Sequence, residues 1–154
     1  MTEPRAERPY MPDYGVGTPS WEPLAWSWAA ERLTANQNFW VVTVSANGRP
    51  HALPVWGAWD DPEARFAFSC GPRARKVRNL AANPQAVIMV DNTVECVSVE
   101  GRASPVRDDE RRDQWIERYL DKYQRIAPDL SAEFLHRNLV VEFGAERAFA
   151  VIER

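Results

Sequence analysis

Residues 66–84, FAFSCGPRARKVRNLAANP, change periodicity halfway along, and that change limits the folds open to the chain. Phe66, Phe68 and Cys70 recur at the two-residue period of a half-buried strand. Gly71-Pro72 breaks the run. Arg73, Arg75, Lys76 and Arg78 then crowd together, while Val77, Leu80 and Ala81 fall at helical spacing until Asn83-Pro84 ends the helix. A strand, a tight turn and a helix with a basic start follow directly on one another. Cations at a helix N-terminus oppose the macrodipole. A bound anion resolves that conflict, because free backbone N–H groups and cationic side chains converge on it. The same run is also compatible with a solvated basic face.

Strand patterns surround this segment. Residues 39–45 (FWVVTVS) are rich in β-branched and aromatic side chains, and Asn47-Gly48 is a hairpin signal. Residues 49–59 return as a strand. Pro50 and Pro54 cannot donate ladder bonds, so an edge, a bulge or an interrupted pairing is expected there. Asp60-Asp61-Pro62 turns the chain into 64–70, and three strands on short turns predict an antiparallel meander. Residues 86–91 and 94–102 give two more strands, with Pro105 ending the run. Residues 139–143 and 148–152 give the last two, about Gly144-Ala145.

Helices are expected at three places. Residues 22–36 have Ser20 as a cap and Pro23 in the first turn, with Trp26 and Trp28 as core or interface anchors. Residues 108–126 start on Asp108 and carry the stripe Trp115, Ile116, Tyr119, Leu120 and Tyr123. A shorter piece runs from Ser131 to Arg137. Residues 1–20, rich in Pro and Gly, form an N-terminal arm before a single domain at 21–154. Tyr10, Met11, Tyr14 and Val16 are apolar for a free tail, so part of the arm is expected on the body or on a partner subunit. The sum is a mainly β (α+β) chain of about six to seven antiparallel strands with flanking helices. Short strands on tight turns favour a barrel or sandwich.

The 154 residues suffice for one domain with a core. A net charge of -3 argues against a general nucleic-acid binder. The basic run at 73–78 then stands as a local patch on an acidic protein and suits a small anionic ligand. Cys70 and Cys96 lie in apolar runs and read as buried reduced thiols. There is no CxxC motif and the two histidines are far apart, so no metal site is expected. No apolar stretch reaches membrane length and no signal-peptide core opens the chain, so no membrane partner and a cytoplasmic location are expected.

The segments GRPHALPVWGAW, FAFSCGPRARKVRNLAANP and VSVEGRAS, in that order and spacing, resemble the FMN-binding split β-barrel superfamily. That superfamily includes the pyridoxamine 5'-phosphate oxidases and the flavin/deazaflavin oxidoreductases of actinobacteria. The resemblance covers residues 38–104 well and VVEFGAERAFAVIE less specifically. It implies a split β-barrel homodimer with two cofactor sites along the subunit interface. It also implies that Arg75 and Lys76 hold the cofactor phosphate, that Ser69 and Cys70 line ring and phosphate, and that Pro54, Val55 and Trp56 run along the ring's polar edge. Arg78 and Asn79 lie one turn on. His51, on the strand that would face the ring, is the first candidate proton donor, with Tyr10 and Tyr14 next, and is equally compatible with a surface or strand-satisfied imidazole; no catalytic residue is fixed. Trp56 and Trp59 are candidates for a substrate wall.

Three positions depart from the oxidase branch. Ala74 stands where many relatives have Ser or Thr. Cys96 stands where oxidases place a glutamine near the flavin. The chain ends at Glu153-Arg154 without the Arg-containing segment that binds pyridoxal phosphate. These departures argue against pyridoxamine phosphate as substrate. PVWG and RARKVRNLAANP are closer to the branch that uses coenzyme F420. The resemblance therefore implies hydride transfer from reduced F420 to a small-molecule acceptor. The alternatives are an FMN-binding, pyridoxamine 5'-phosphate oxidase-like flavoprotein and a non-catalytic flavin- or haem-binding module.

Overall fold

The computed structural model describes residues 3–9, 11–14 (Tyr14 in its backbone only) and 22–152. A two-residue strand β1 (Arg5–Ala6) and a 3-10 turn at Pro12–Tyr14 precede helix α1 (Trp26–Ala35). β2 (Phe39–Val44) and β3 (Pro50–Val55) form one hairpin, β4 (Gly57–Asp60) and β5 (Arg65–Cys70) another. α2 (Arg75–Ala82) crosses to β6 (Gln85–Val90) and β7 (Glu95–Pro105). α3 (Asp109–Tyr123), α4 (Ala132–His136) and β8 (Leu139–Ile152) follow. The sheet order is β3-β2-β6-β7-β8-β5-β4, antiparallel throughout, with β1 laid parallel on β8 at Arg147 and Ala148. This is the mainly β half-barrel that the sequence predicts.

Alternation decides which way each strand faces. Phe39, Val41 and Thr43 of β2 point inward and are at most 1% exposed, while Trp40 points outward. Phe66 and Phe68 of β5 meet Phe39 and Leu33 in the same core, with Phe39 and Phe66 edge to face at 4.8 Å. A smaller cluster lies on the other face, where Trp115, Ile116 and Leu135 cover Ala58, Ala67 and Val140. Asp108 accepts the Arg111 N–H at 2.7 Å and Ser131 that of Phe134 at 3.2 Å, so both expected caps form.

Four expectations are corrected. Residues 49–59 are not one strand: β3 pairs with β2, β4 pairs with β5, and the two stand at opposite edges of the sheet. The expected meander is therefore two separate hairpins. The break falls at Trp56, whose ring stacks on Tyr123 at 4.6 Å, while the Gly57 N–H donates to the Tyr123 hydroxyl at 2.8 Å. Residues 139–152 are one strand instead of two. It bends where β7 shifts register between Glu100 and Gly101, and Gly101 crosses so close that a Cβ there would lie 2.0 Å from the Gly144 carbonyl oxygen. α1 starts at Trp26 on Ala25, leaving Pro23 outside; Ser20 lies outside the described residues. Both cysteines are free but only half-buried.

Pro50 and Pro54 do sit on an edge strand, as their missing donors require. The described part of the arm docks on the body, with Pro4 buried and the Glu7 N–H donating to the Ala148 carbonyl at 2.7 Å. Tyr10, Gly15, Val16 and Gly17 lie outside the described residues. No described helix is long and apolar enough to cross a membrane.

Candidate functional site

The start of α2 is built by the turn that ends β5. The Ala74 N–H donates to the Gly71 carbonyl at 3.0 Å, and the helix begins one residue later. Its cap residue is Ala74, which has no side-chain acceptor for the first-turn N–H groups. Lys76, Asn79 and Leu80 lie at helical spacing on the buried face. Asn79 donates to the Thr43 hydroxyl at 3.0 Å, and this buried bond pins α2 to β2. Lys76 is only 7% exposed, and no hydrogen bond or ion pair joins it to a described residue. Its stem is buried, and its unpartnered ammonium is not sealed from solvent and stays within reach of an anion.

A cleft of about 440 Å³ opens beside this helix start. Ser45, Asn47, Arg49, Pro50 and His51 line it from the β2–β3 hairpin, and Arg75, Arg78 and Asn79 from α2. Gly48, at φ +85°, makes the turn that carries Arg49 and His51 to the rim. Among the described residues the lining holds three guanidinium groups, one imidazole and no carboxylate. Arg49, Arg75 and Arg78 form no ion pair with any described residue. On the face under α3, by contrast, Arg111 meets Glu142 at 2.7 Å and Glu63 at 2.8 Å, and Arg65 meets Glu142 at 3.1 Å. The polar cleft over α3, lined by Asp60, Arg111 and Arg118, has such pairs, with Arg118 to Asp60 at 3.5 Å. The cationic cleft stands apart because three guanidinium groups without an ion pair among the described residues share it.

His51 lies opposite Thr43 on the inner face of β3. Its Nδ1 is buried and finds no hydrogen-bond partner among the described residues. Burial, then the charges of Arg75 and Lys76, hold its pKa below the usual histidine value. Burial raises the pKa of the Cys70 thiol and the Lys76 charge opposes that shift. The ammonium of Lys76 therefore acts on both β3 and the end of β5.

The structure brings His51, Arg75 and Asn79 together at the cleft, with Lys76 and Cys70 linked to them by charge. Ser69 is on the opposite face of β5 from Cys70, turned to Trp115 and Tyr119. Pro54 pairs with Trp40 on the outer face, and Val55 pairs with Phe39 on the inner one. Trp56 lies about 16 Å of strand from His51 and stacks on Tyr123. Trp59 is a core residue, 4% exposed, not a free wall. Tyr10 and the Tyr14 side chain lie outside the described residues.

Three residues near these positions went unread in the sequence. Arg49 joins the cleft, and its place beside the Asn47-Gly48 turn is the signal that was available. Thr43 anchors Asn79. Lys122 donates to the Gly57 carbonyl at 2.9 Å, and burial pulls its pKa down to about 8. No local pattern announces Lys122, because its partner is distant in the chain.

The chain is thus an antiparallel half-barrel with a cationic cleft at a helix start. The pyridoxamine 5'-phosphate oxidase family matches residues 28–151, and the chain belongs to that family. The superfamily resemblance read from residues 38–104 is thereby borne out. No curated protein matches the chain. Among solved structures it is similar to the conserved hypothetical protein Rv2991 from Mycobacterium tuberculosis, with 18% identity over 85% of this chain and 86% of that one, at a TM-score of 0.71. It is similar to an FAD-binding protein from Mesorhizobium loti, with 21% identity over 82% and 94% of the two chains, TM-score 0.65. It is also similar to HutZ, the haem storage protein from Vibrio cholerae, with 23% identity over 74% and 85%, TM-score 0.61. At these identities the likeness is one of fold.

Proposed function

We propose that this protein is a homodimeric oxidoreductase that binds a phosphate-bearing flavin-type cofactor, with Arg75 and Lys76 on the phosphate. One observation carries the reading: Lys76 is buried beside an uncapped helix start, with no partner among the described residues. A phosphate fits that donor set, since it accepts from ammonium, guanidinium and backbone N–H groups together. The edge strand β3 leaves backbone groups free along Pro54 and Val55 for the ring's polar edge. The outer face of β3-β2-β6 supports the dimer. Trp40 is 37% exposed there, and Val42, Ala52, Pro54, Val87 and Met89 share its face by register. Such an apolar sheet face suits a second copy.

The cofactor we propose is coenzyme F420. Arg49 and Arg78 at the cleft, with Arg73 just ahead of it, supply cations beyond what one phosphate needs, and F420 carries an acidic tail. Reduced F420 supplies a hydride for an unsaturated or oxidised acceptor. The chain's own part is to bind, orient and keep the ring dry. FMN is the second reading, favoured by the fold shared with an FAD-binding protein. A carrier without turnover, for flavin or haem, is the outcome if binding occurs and no acceptor is reduced.

The test is equilibrium binding of cofactor-free protein to F420 and to FMN, by fluorescence. Tight F420 binding that weakens in Arg73→Ala and Arg78→Ala supports the deazaflavin reading. Tight FMN binding with weak F420 binding moves the protein to the flavin reading. Binding of neither returns the basic run to a solvated face.

A further inference from the structure

His51 is the one titratable group in the cleft that can change charge near neutral pH. Its surroundings are one-sided. From α2 it faces Arg75, Lys76, Arg78 and the amide of Asn79; from β2, the Thr43 hydroxyl; from the end of β5, the Cys70 thiol across Lys76; from its own hairpin, Arg49. No carboxylate is among them. A second proton on the ring would add a positive charge to this group of cations. It would also fill Nδ1, a buried nitrogen with no acceptor. With nothing bound, burial and the neighbouring cations therefore favour the neutral imidazole. An anion in the cleft reverses the balance, because a negative charge within about 4–6 Å favours the charged ring.

We propose that His51 is a proton-linked contact to the anionic group held by Arg75 and Lys76: neutral when nothing is bound, imidazolium when the anion is in place. Binding then takes up a proton from solvent, and the affinity of the cleft for a dianion rises as pH falls. The inference rests on the phosphate site proposed above and adds to it a charge that adjusts to the ligand. Four fixed cations near one another repel, and a fifth that appears only with the anion adds attraction without adding to that repulsion in the free protein.

Inorganic sulfate is the probe, because its charge stays constant through the histidine range while that of phosphate does not. The chain has two histidines, and His136, exposed on α4 with Asp113 3.7 Å away, is a built-in control. The titration of both rings is followed by NMR in sulfate and in chloride at equal ionic strength. The expected result is a rise of the His51 midpoint by about one pH unit in sulfate, with His136 unmoved. In His51→Gln, sulfate still shifts the amide signals of Arg75 and Lys76, but the several-fold gain in sulfate affinity between pH 8 and pH 5 that a one-unit rise brings is flattened. Sulfate that shifts those amide signals and leaves the His51 midpoint in place overturns this inference and spares the phosphate site. Sulfate that shifts neither overturns both.

Discussion

Replacing Lys76 with Met separates folding from binding. Lys76 is 7% exposed, and no hydrogen bond or ion pair joins its ammonium to a described residue. A cation in the first turn of a helix opposes the macrodipole and costs folding free energy. Met keeps an unbranched side chain of similar length on the buried face of α2 and drops the charge. The cofactor-free variant should gain about 1 kcal/mol. For a chain of this size that raises Tm by about 2–4 °C. The same substitution removes a charge-assisted hydrogen bond to phosphate, a loss of about 1.5–3 kcal/mol, or roughly 10- to 100-fold in Kd. Thermal melts and fluorescence titrations with F420 and FMN measure both quantities. The order of Tm values should reverse in saturating cofactor, because ligand stabilises the tighter binder more. A Lys76→Met protein that melts below the parent and binds cofactor equally well would refute the reasoning and make Lys76 a structural residue.

Other outcomes follow from single contacts. Gly101→Ala places a Cβ 2.0 Å from the Gly144 carbonyl oxygen, a backbone atom that cannot swing aside. It should cost at least about 3 kcal/mol, and a parent-like urea midpoint would deny the close crossing. Burial lowers the Lys122 pKa from 10.5 to about 8, so the unfolded chain holds more protons between those values. Stability relative to Lys122→Gln should therefore rise as pH climbs from about 8 to 10.5; urea midpoints that stay a constant distance apart would contradict the shift. Trp40→Glu puts a charge on the outer face of β2, where light scattering should show a monomer and weaker cofactor binding. An unchanged mass would remove that face as the subunit contact.

Legibility divided along physical lines. The edge position of 50–55 was readable because proline lacks a donor, and the caps at Asp108 and Ser131 because side-chain acceptors mark helix starts locally. The family was readable because residues 66–84 carry turn, charge and helix signals within one segment. The split at Trp56 was not, since its causes are the ring and hydroxyl of Tyr123, far along the chain. The bend in β8 was read as a turn because Gly144-Ala145 looks like a break, while its cause is the approach of Gly101 across the sheet. Among the site residues, Arg75 and Lys76 stood out as charge against a helix dipole. Arg49 and Thr43 did not, because their roles come from strand pairing and docking.

The place of the cleft follows from the topology. β5 and β6 are consecutive in the chain, yet β8 and β7 lie between them in the sheet. The connection must therefore cross the inside of the half-barrel, and α2 makes that crossing, held to β2 by the buried Asn79–Thr43 bond. The start of such a helix is fixed by β5 on one side and exposed toward the β2–β3 hairpin on the other. β3 is an edge, so no further strand covers that opening. A fold that needed only stability would place an acidic cap at residue 74 and a carboxylate near Lys76. This chain places Ala74 there and surrounds the opening with Arg49, His51, Arg75 and Arg78. The electrostatic cost is concentrated where the topology already supplies a rigid, half-open seat, and an anion in that seat removes it.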